Sequence, residues 1–597
     1  MGYEHSEEEH KNIIPRIGFS FILFCFGFLW KPLFFFAFLI VGYDIIYQAV
    51  KNLVHKEIFD EKFLMSLASI GAFCIKEYPE AVMVMLLYQL GEYLQDKAVD
   101  KSKHSIEALM NIRPDYAVLN GQKVRPELIQ IGDIITVSSG ERIPLDGVVT
   151  EGNALIDNST LTGESTPIYV NEGTEILNGG VNLNGYLKIK VTKKYTESTV
   201  YKILRLIEES AEKKAKTENF ITRFARIYTP IVVILAVLFG LGLPIITNID
   251  FYSAIERALT FLVISCPCAL VISVPLTFFA GIGGASSNGI LIKGGNYLEQ
   301  LSKIGTVIFD KTGTVTSGVF GIREINSNNS EILKYAAIAE SASNHPLAKA
   351  VRNAYGGEIP EITEIKENAG GGVEAAFEGK MIKAGTAKFI GVNPINTMGT
   401  VIYVSVNDFY IGNIVLSDVI KSDSASTIKT LHDMKINTAI FTGDTKERAE
   451  TLQNIIEVQK IYYELMPADK VTKFEELINE NKLHTIAFVG DGINDAPVIK
   501  RADVGIAMGG LGSDAAIEAA DVVIMDDKPS KVVSAIKISK KTMSIVKQNL
   551  SFAIGIKVIF LILGGFGIMT MWGAVFADVG VTMIAILNAL RAKIIKL

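Results

Sequence analysis

Three acidic segments, each closing a short apolar run, carry much of the chemistry available to this chain. Asp310-Lys311-Thr312-Gly313-Thr314 follows the run Thr306–Phe309, Thr442-Gly443-Asp444 follows Thr438–Phe441, and Gly490-Asp491-Gly492-Ile493-Asn494-Asp495 follows Thr485–Val489. Open α/β sheets hold their ligands at the carboxyl ends of strands. A carboxylate there, Asp310, can attack a γ-phosphoryl group and become an aspartyl-phosphate, provided a metal ion and nearby donors neutralise the charge. Asp310, Thr312 and Asp491 are the candidate magnesium site, with Asp495 in support, because magnesium takes carboxylate, water and phosphate oxygens. Lys470, between the second and third segments, can reach the phosphoryl group, and Thr442 and Asp444 join the same catalytic set. A single aspartate after a strand is ordinarily a helix cap. Three in order on successive strands call for another explanation.

A second constellation sits in apolar sequence. In Ile264-Ser265-Cys266-Pro267-Cys268, a proline between two thiols removes a backbone donor and unwinds the helix, which frees carbonyls as in the broken helices of transporters. Thiolates select soft or borderline ions, whereas magnesium and calcium prefer oxygen. Asp578 and Lys557 lie in two further apolar runs, where an ionisable group is costly and functional by default. Two thiolates with a carboxylate suit a divalent ion such as zinc or cadmium better than copper(I). Lys557 is then the counter-charge, free to pair with Asp578 when the ion leaves. Glu92, in LGEYLQDKA, is a candidate on the ion pathway.

The elements that must position these residues are of two kinds. The chain has 597 residues, of which 49% are hydrophobic, more than an ordinary soluble enzyme carries. A net charge of −6 with no arginine-rich stripe argues against nucleic acid as a partner. The 4 cysteines, Cys25, Cys74, Cys266 and Cys268, all lie in apolar runs, so no secreted-type disulfide framework is expected. Four apolar stretches are each too long for one span of about 20 residues. They divide at Lys31-Pro32, at Lys76–Pro79, near Asn248–Ser253 and near Met571, which predicts eight spans in four hairpins. Lys51, Lys56, Lys62, Arg591, Lys593 and Lys596 share a side with two large polar inserts, and that side is cytoplasmic by the positive-inside rule. The acidic, histidine-bearing start, with His5 and His10, reads as a charged tail rather than a cleaved signal.

The expected organisation follows in order. Residues 1–12 form the tail, 13–99 the first four helices, 100–216 a β-rich domain and 217–290 the fifth and sixth helices. Residues 291–321 and 419–540 form two parts of an α/β domain, 322–418 an α+β domain inserted into it, and 541–597 the last two helices. The β-rich assignment rests on short β-branched segments parted by Gly, Asn and Asp, as in GDIITVSSGERIPLDGVVTEG.

DKTGT, TGES, TGD and GDGINDAP, in this order over nearly the whole chain, resemble the P-type ATPase family, and Cys-Pro-Cys resembles its heavy-metal subclass. The resemblance implies an eight-helix transmembrane bundle with an actuator domain, a haloacid dehalogenase-like phosphorylation domain and an inserted nucleotide-binding domain. It implies phosphorylation of Asp310 by Mg-ATP and places Asp491 and Asp495 at the magnesium site. Thr162-Gly163-Glu164-Ser165 is assigned to dephosphorylation, with Glu164 orienting the attacking water. Glu340, His345-Pro346 and Gly370-Gly371-Gly372 resemble the nucleotide site of heavy-metal members, although Ala375 stands where a third spaced glycine would be. Lys557 to Phe560 and Asp578 to Gly580 resemble zinc and cadmium members; lead and cobalt are further candidates, and copper(I) is the runner-up. An N-terminal domain with a Cys-x-x-Cys pair, present in many members, is missing from the pattern. A phosphatase of the same α/β architecture would share the Asp310 chemistry, yet would need neither the spans nor TGES. The resulting expectation is a multi-pass protein of the cell membrane, both termini cytoplasmic, exporting a heavy-metal ion, with no protein partner called for.

Overall fold

A computed structural model describes residues 3–54, 61–110, 116–158, 167–198, 201, 214–247, 249–265, 267–343, 346–360, 362, 365–368, 371–395, 399–480, 484–491, 495–509 and 518–593. The chain divides into two compact units, one of residues 1–302 with 537–597 and one of residues 303–536.

The first unit is built on long apolar helices. Tyr3–Gly27, Pro32–Val54, Glu61–Cys74 and Tyr78–Met110 come first, followed by Lys216–Ile246, Phe251–Ile264 and Cys268–Ser286. Ser530–Gly565, which enters this unit from the other, and Met571–Leu590 complete the set. Among the described residues, 5 helices are long and apolar enough to cross a membrane, and Ile13–Gly27 and Lys62–Cys74 are shorter apolar helices. The breaks fall where the sequence removes helix hydrogen bonding: Pro32 opens a helix, Lys76 takes a left-handed φ of 69°, and the Thr570 side chain caps Met571–Leu590. Phe24, Phe34, Phe38, Met85 and Leu262 share the helical core, while Phe21, Phe36, Ile234 and Ile559 stay exposed as lipid-facing residues do. Tyr78–Met110 crosses the expected boundary at residue 100 without interruption, because no glycine or proline follows Gly91 until Pro114.

The same unit contains the β-rich region. A six-stranded antiparallel sheet runs in the order Gln122–Val124, Ala117–Leu119, Ile134–Val137, Leu187–Val191, Gly147–Glu151, Glu175–Ile176. A second sheet of three strands comprises Ile168–Val170, Ala154–Asp157 and Val181–Asn182. Alternation buries Ile135, Val137, Leu187 and Ile189 in their common core.

The second unit holds a parallel sheet in the order Val522–Ile524, Val504–Ala507, Thr485–Gly490, Ile304–Asp310, Asn437–Phe441, Lys460–Tyr462. Ile304–Asp310 comes first in sequence and sits in the middle, so the chain builds outward on one side and then on the other. That reversal makes the carboxyl end of Ile304–Asp310 a topological switch point, where a crevice opens. The insertion is a six-stranded antiparallel sheet carrying the helices Ile332–Ala339 and Pro346–Tyr355. Its first and last strands in sequence, Thr316–Ser327 and Phe409–Ile420, pair from Thr316↔Ile420 onward, so the expected bounds 322 and 418 fall inside a paired ladder.

Candidate functional site

The switch point gathers the acidic segments. Asp310 ends its strand beside Phe441 on one side, and Phe309 lies beside Val489 on the other, which brings Thr442 and Asp491 to the same edge. Lys470, from the helix Pro467–Glu480, donates to Asp310 Oδ1 at 2.5 Å and to Asp495 Oδ1 at 2.8 Å. The Thr312 amide donates to Asp310 Oδ2 at 3.0 Å. Gly313 adopts φ 73°, and a Cβ there would stand 2.8 Å from Asp491 Oδ2, so glycine answers both the backbone and the space. Lys311 pairs with Asp444 at 2.8 Å, and the Asp444 amide donates to Thr442 Oγ1 at 3.1 Å.

Electrostatics follow from burial. Asp310 is 5% exposed and Asp495 1%. Burial, and then the Asp495 charge, push the Asp310 carboxyl up to about 7, with Lys470 opposing the rise. Burial disfavours the Lys470 ammonium, but Asp310 and Asp495 outweigh it and hold its pKa above the ordinary value. On the protein's own charges Asp310 is therefore only partly ionised near neutrality. Three carboxylates, Asp310, Asp491 and Asp495, set against the one Lys470 ammonium leave the group short of positive charge, which is the chemistry that a hard divalent cation fits.

In the insertion, Glu340 is buried at the end of the helix Ile332–Ala339. Arg352 donates to the Glu340 carbonyl and, at 2.7 Å, to the Ser343 carbonyl, clamping the segment that leads toward His345. His345 and Gly370 lie outside the described residues. Gly372 begins a strand where a Cβ would meet the Ala384 carbonyl oxygen at 2.2 Å. Between this sheet and the switch point lies a cavity of about 360 Å³, lined by Lys311, Thr312, Arg323, Asp418, Asp444 and Arg448 among others. Arg448 reaches across to donate to the Gly399 carbonyl at 3.1 Å.

Among the apolar helices, Phe251–Ile264 ends and Cys268–Ser286 begins on either side of Pro267. At this interruption Lys557 Nζ donates to the Ile264 carbonyl at 3.1 Å. The same ammonium binds Asp578 Oδ1 at 2.6 Å. Cys268 is 5% exposed, and the helix that carries it packs on Met571–Leu590, which carries Asp578. Cys266 lies outside the described residues, as does Thr162-Gly163-Glu164-Ser165. Glu92 is paired with Lys62 at 3.0 Å, and Lys62 also donates to Gln48 at 2.5 Å.

A family model described as the P-type ATPase actuator domain matches residues 116–208, and one for haloacid dehalogenase-like hydrolases matches residues 304–503. The cadmium, zinc and cobalt-transporting ATPase of Bacillus subtilis (strain 168) is 51% identical over 580 residues, covering 94% of this chain and 82% of that one. This chain belongs to the P-type ATPases. The zinc-transporting ATPase of Synechocystis sp. is 47% identical to this ATPase over 572 residues, covering 93% and 79% of the two chains. The crystal structure of a zinc-transporting PIB-type ATPase in the E2.Pi state superposes on the ATPase with a TM-score of 0.64 at 34% identity, over 98% of each chain. The haloacid dehalogenase-like match contains every residue gathered at the switch point.

Several contacts of the ATPase had no sequence signal. Asp418 accepts from Thr316 Oγ1 at 2.5 Å across 102 residues, and Lys421 reaches the Gly313 carbonyl across 108. Asp44 pairs with Arg16 at 2.6 Å and accepts from Gln89 at 3.0 Å, tying three apolar helices together. Only for that last network does the sequence hold a signal that could have found it, a lone aspartate in an apolar span.

Proposed function

We propose that this integral membrane P-type ATPase exports a divalent heavy-metal ion, zinc or cadmium foremost, from the cytoplasm through an aspartyl-phosphate on Asp310. One observation carries the reading: Lys557 bridges the Ile264 carbonyl and Asp578 where the Cys-Pro-Cys segment breaks a helix. The relatives at 51% and 47% identity are a cadmium, zinc and cobalt-transporting ATPase and a zinc-transporting ATPase.

The chemistry divides between the two constellations. Asp310 attacks the terminal phosphoryl group of ATP, and the bond from that phosphorus to the bridging oxygen breaks, releasing ADP. Lys470 neutralises charge on the phosphoryl oxygens, while the Thr312 amide holds the second Asp310 oxygen. Asp310, Thr312 and Asp491 would hold magnesium, with Asp495 in support. When bound, that ion supplies the positive charge that the buried carboxylates lack. Thr442 and Asp444 order Lys311 beside the site. Glu340, His345, Gly370 and Gly372 serve the nucleotide, and Glu164 orients the water that later hydrolyses the aspartyl-phosphate.

The exported ion binds Cys266, Cys268 and Asp578 as thiolates and carboxylate. Lys557 then takes the place of the departing cation against Asp578, so that no bare charge stays buried. Glu92 lies on the pathway and is held by Lys62. Eight spans, cytoplasmic termini and a place in the cell membrane complete the reading, with domain limits as set out from the sequence. Moving a dication outward costs roughly 4.6 kcal/mol per 100 mV of inside-negative potential, at about 2.3 per charge. Phosphorylation is what meets that cost.

Zinc uptake into inverted vesicles tests the proposal. ATP-dependent uptake that vanishes when magnesium is withdrawn, with cadmium competing, is expected; uptake of copper(I) alone would overturn the substrate assignment. A second expectation concerns the insertion. Arg352→Ala frees the segment Glu340–Ser343 and should raise KM for ATP by about 10-fold or more, the scale of one lost charge-assisted hydrogen bond, with kcat nearly unchanged. Titrating hydrolysis with ATP checks it, and an unmoved KM would leave Arg352 a purely structural residue.

A further inference from the structure

The strand Phe409–Ile420 returns the chain from the insertion, and the next residue is Lys421. Its side chain is 9% exposed, and its ammonium has two partners far apart in sequence. It donates to the Gly313 carbonyl at 2.9 Å and to Asp527 Oδ1 at 2.7 Å. Gly313 is the left-handed residue of the Asp310–Thr314 loop, one peptide from the Thr312 amide that holds Asp310. The flanking residues repeat the connection: the Lys421 amide and Ser424 Oγ both donate to the Val315 carbonyl, at 3.1 Å and 2.7 Å. Asp423 Oδ2 accepts from the amide of Ser530, the first residue of the helix Ser530–Gly565, at 3.0 Å.

We propose that Lys421 is a positioning residue for phosphoryl transfer, fixing the Gly313 peptide and, through Asp527, tying the phosphorylation loop to the lead-in of the Ser530–Gly565 helix. The physical case rests on how the ammonium is used. Hydrogen bonds from a charged donor are about twice as strong as neutral ones, and a half-buried ammonium spent on a peptide carbonyl restricts that peptide's rotation. The restricted peptide, Gly313–Thr314, is separated by one peptide unit from the Thr312 amide, so its orientation is passed along this short loop to the Asp310 carboxylate. Asp527, 56% exposed on its side chain, balances the charge and fixes where the lysine points. Nucleophile placement is where small displacements are expensive, since an error of about 1 Å can cost 10²-fold in rate.

The inference rests on phosphorylation of Asp310, so wild-type protein is the control: no phosphoenzyme from ATP with zinc would sink that reading, not this one. With the control positive, Lys421→Met should slow phosphoenzyme formation about 10- to 100-fold while leaving KM for ATP within about twofold. Lys421→Arg should recover most of the rate, because a guanidinium can meet the same carbonyl and carboxylate. Asp527→Asn should slow the step less, and the double variant should be no slower than Lys421→Met, as coupling through one contact requires. Asp527→Asn alters a surface group and gives the same reading should Lys421→Met fail to fold. A wild-type rate in both single variants, or losses that simply multiply in the double variant, would overturn the proposal.

Discussion

Asp310→Asn is expected to abolish the acid-stable phosphoenzyme and to lower ATP turnover by ~10³-fold or more, the loss typical of removing a nucleophile. Asparagine preserves the shape, and its single amide oxygen can accept one of the two hydrogen bonds, from Lys470 or from the Thr312 amide, so the fold should survive. Stability should if anything rise, because burial and then the Asp495 charge already push the Asp310 carboxyl up to about 7. Thermal unfolding beside radiolabelled phosphorylation separates the two effects. Wild-type phosphoenzyme in this variant would mean that another carboxylate carries the phosphoryl group, with Asp491 and Asp495 next in line.

Lys557→Met should have the second-largest effect, and it splits binding from turnover. Lys557 and Asp578 form a pair with side chains 11% and 10% exposed. Removing one partner of a buried pair leaves the other charge uncompensated, at a cost of about 3–5 kcal/mol. Under the proposed mechanism a bound dication is the one remaining neutraliser of Asp578. Apparent metal affinity should therefore rise while turnover falls about 10- to 100-fold, because release exposes the bare carboxylate. Metal titrations of hydrolysis read both numbers at once. A fall in affinity with turnover intact would show that Lys557 merely shapes the helix break. Asp578→Asn is the informative partner: it should lose metal stimulation outright if, as proposed, the carboxylate is one of the ligands.

The legible part of the molecule was the part that local physics dictates. Thr306–Phe309, Thr438–Phe441 and Thr485–Val489 are short apolar runs with a polar stop, and each became a strand ending in its motif. Pro32, Pro79 and Pro267 lack amide donors and lie at or beside helix breaks, as the sequence suggested. What stayed hidden depends on chain return. Nothing near Lys311 names Asp444, 133 residues on, and nothing near Lys421 names Asp527, 106 residues on; such pairs exist only once the sheet is assembled. The helix Tyr78–Met110 runs on past the expected boundary at residue 100, and its polar second half, KAVDKSKHSIEALM, lacks the apolar signal that marks its first. Lys470 was visible as a candidate by resemblance, but its two-carboxylate bridge came from the fold. The charge arrangement explains why a lysine, not an arginine, suits that bridge: a compact ammonium can serve two oxygens from separate elements without the planar fork's constraint.

The most direct test of the account is the metal requirement of phosphorylation in purified, lipid-reconstituted protein supplied with labelled ATP and magnesium. Zinc or cadmium should each induce the acid-stable phosphoenzyme, with calcium and copper(I) without effect and Cys268→Ala abolishing the response. Phosphorylation that ignores the added metal, or persists in Cys268→Ala, would contradict a pump whose phosphoryl transfer waits on a cation held at the Cys-Pro-Cys break.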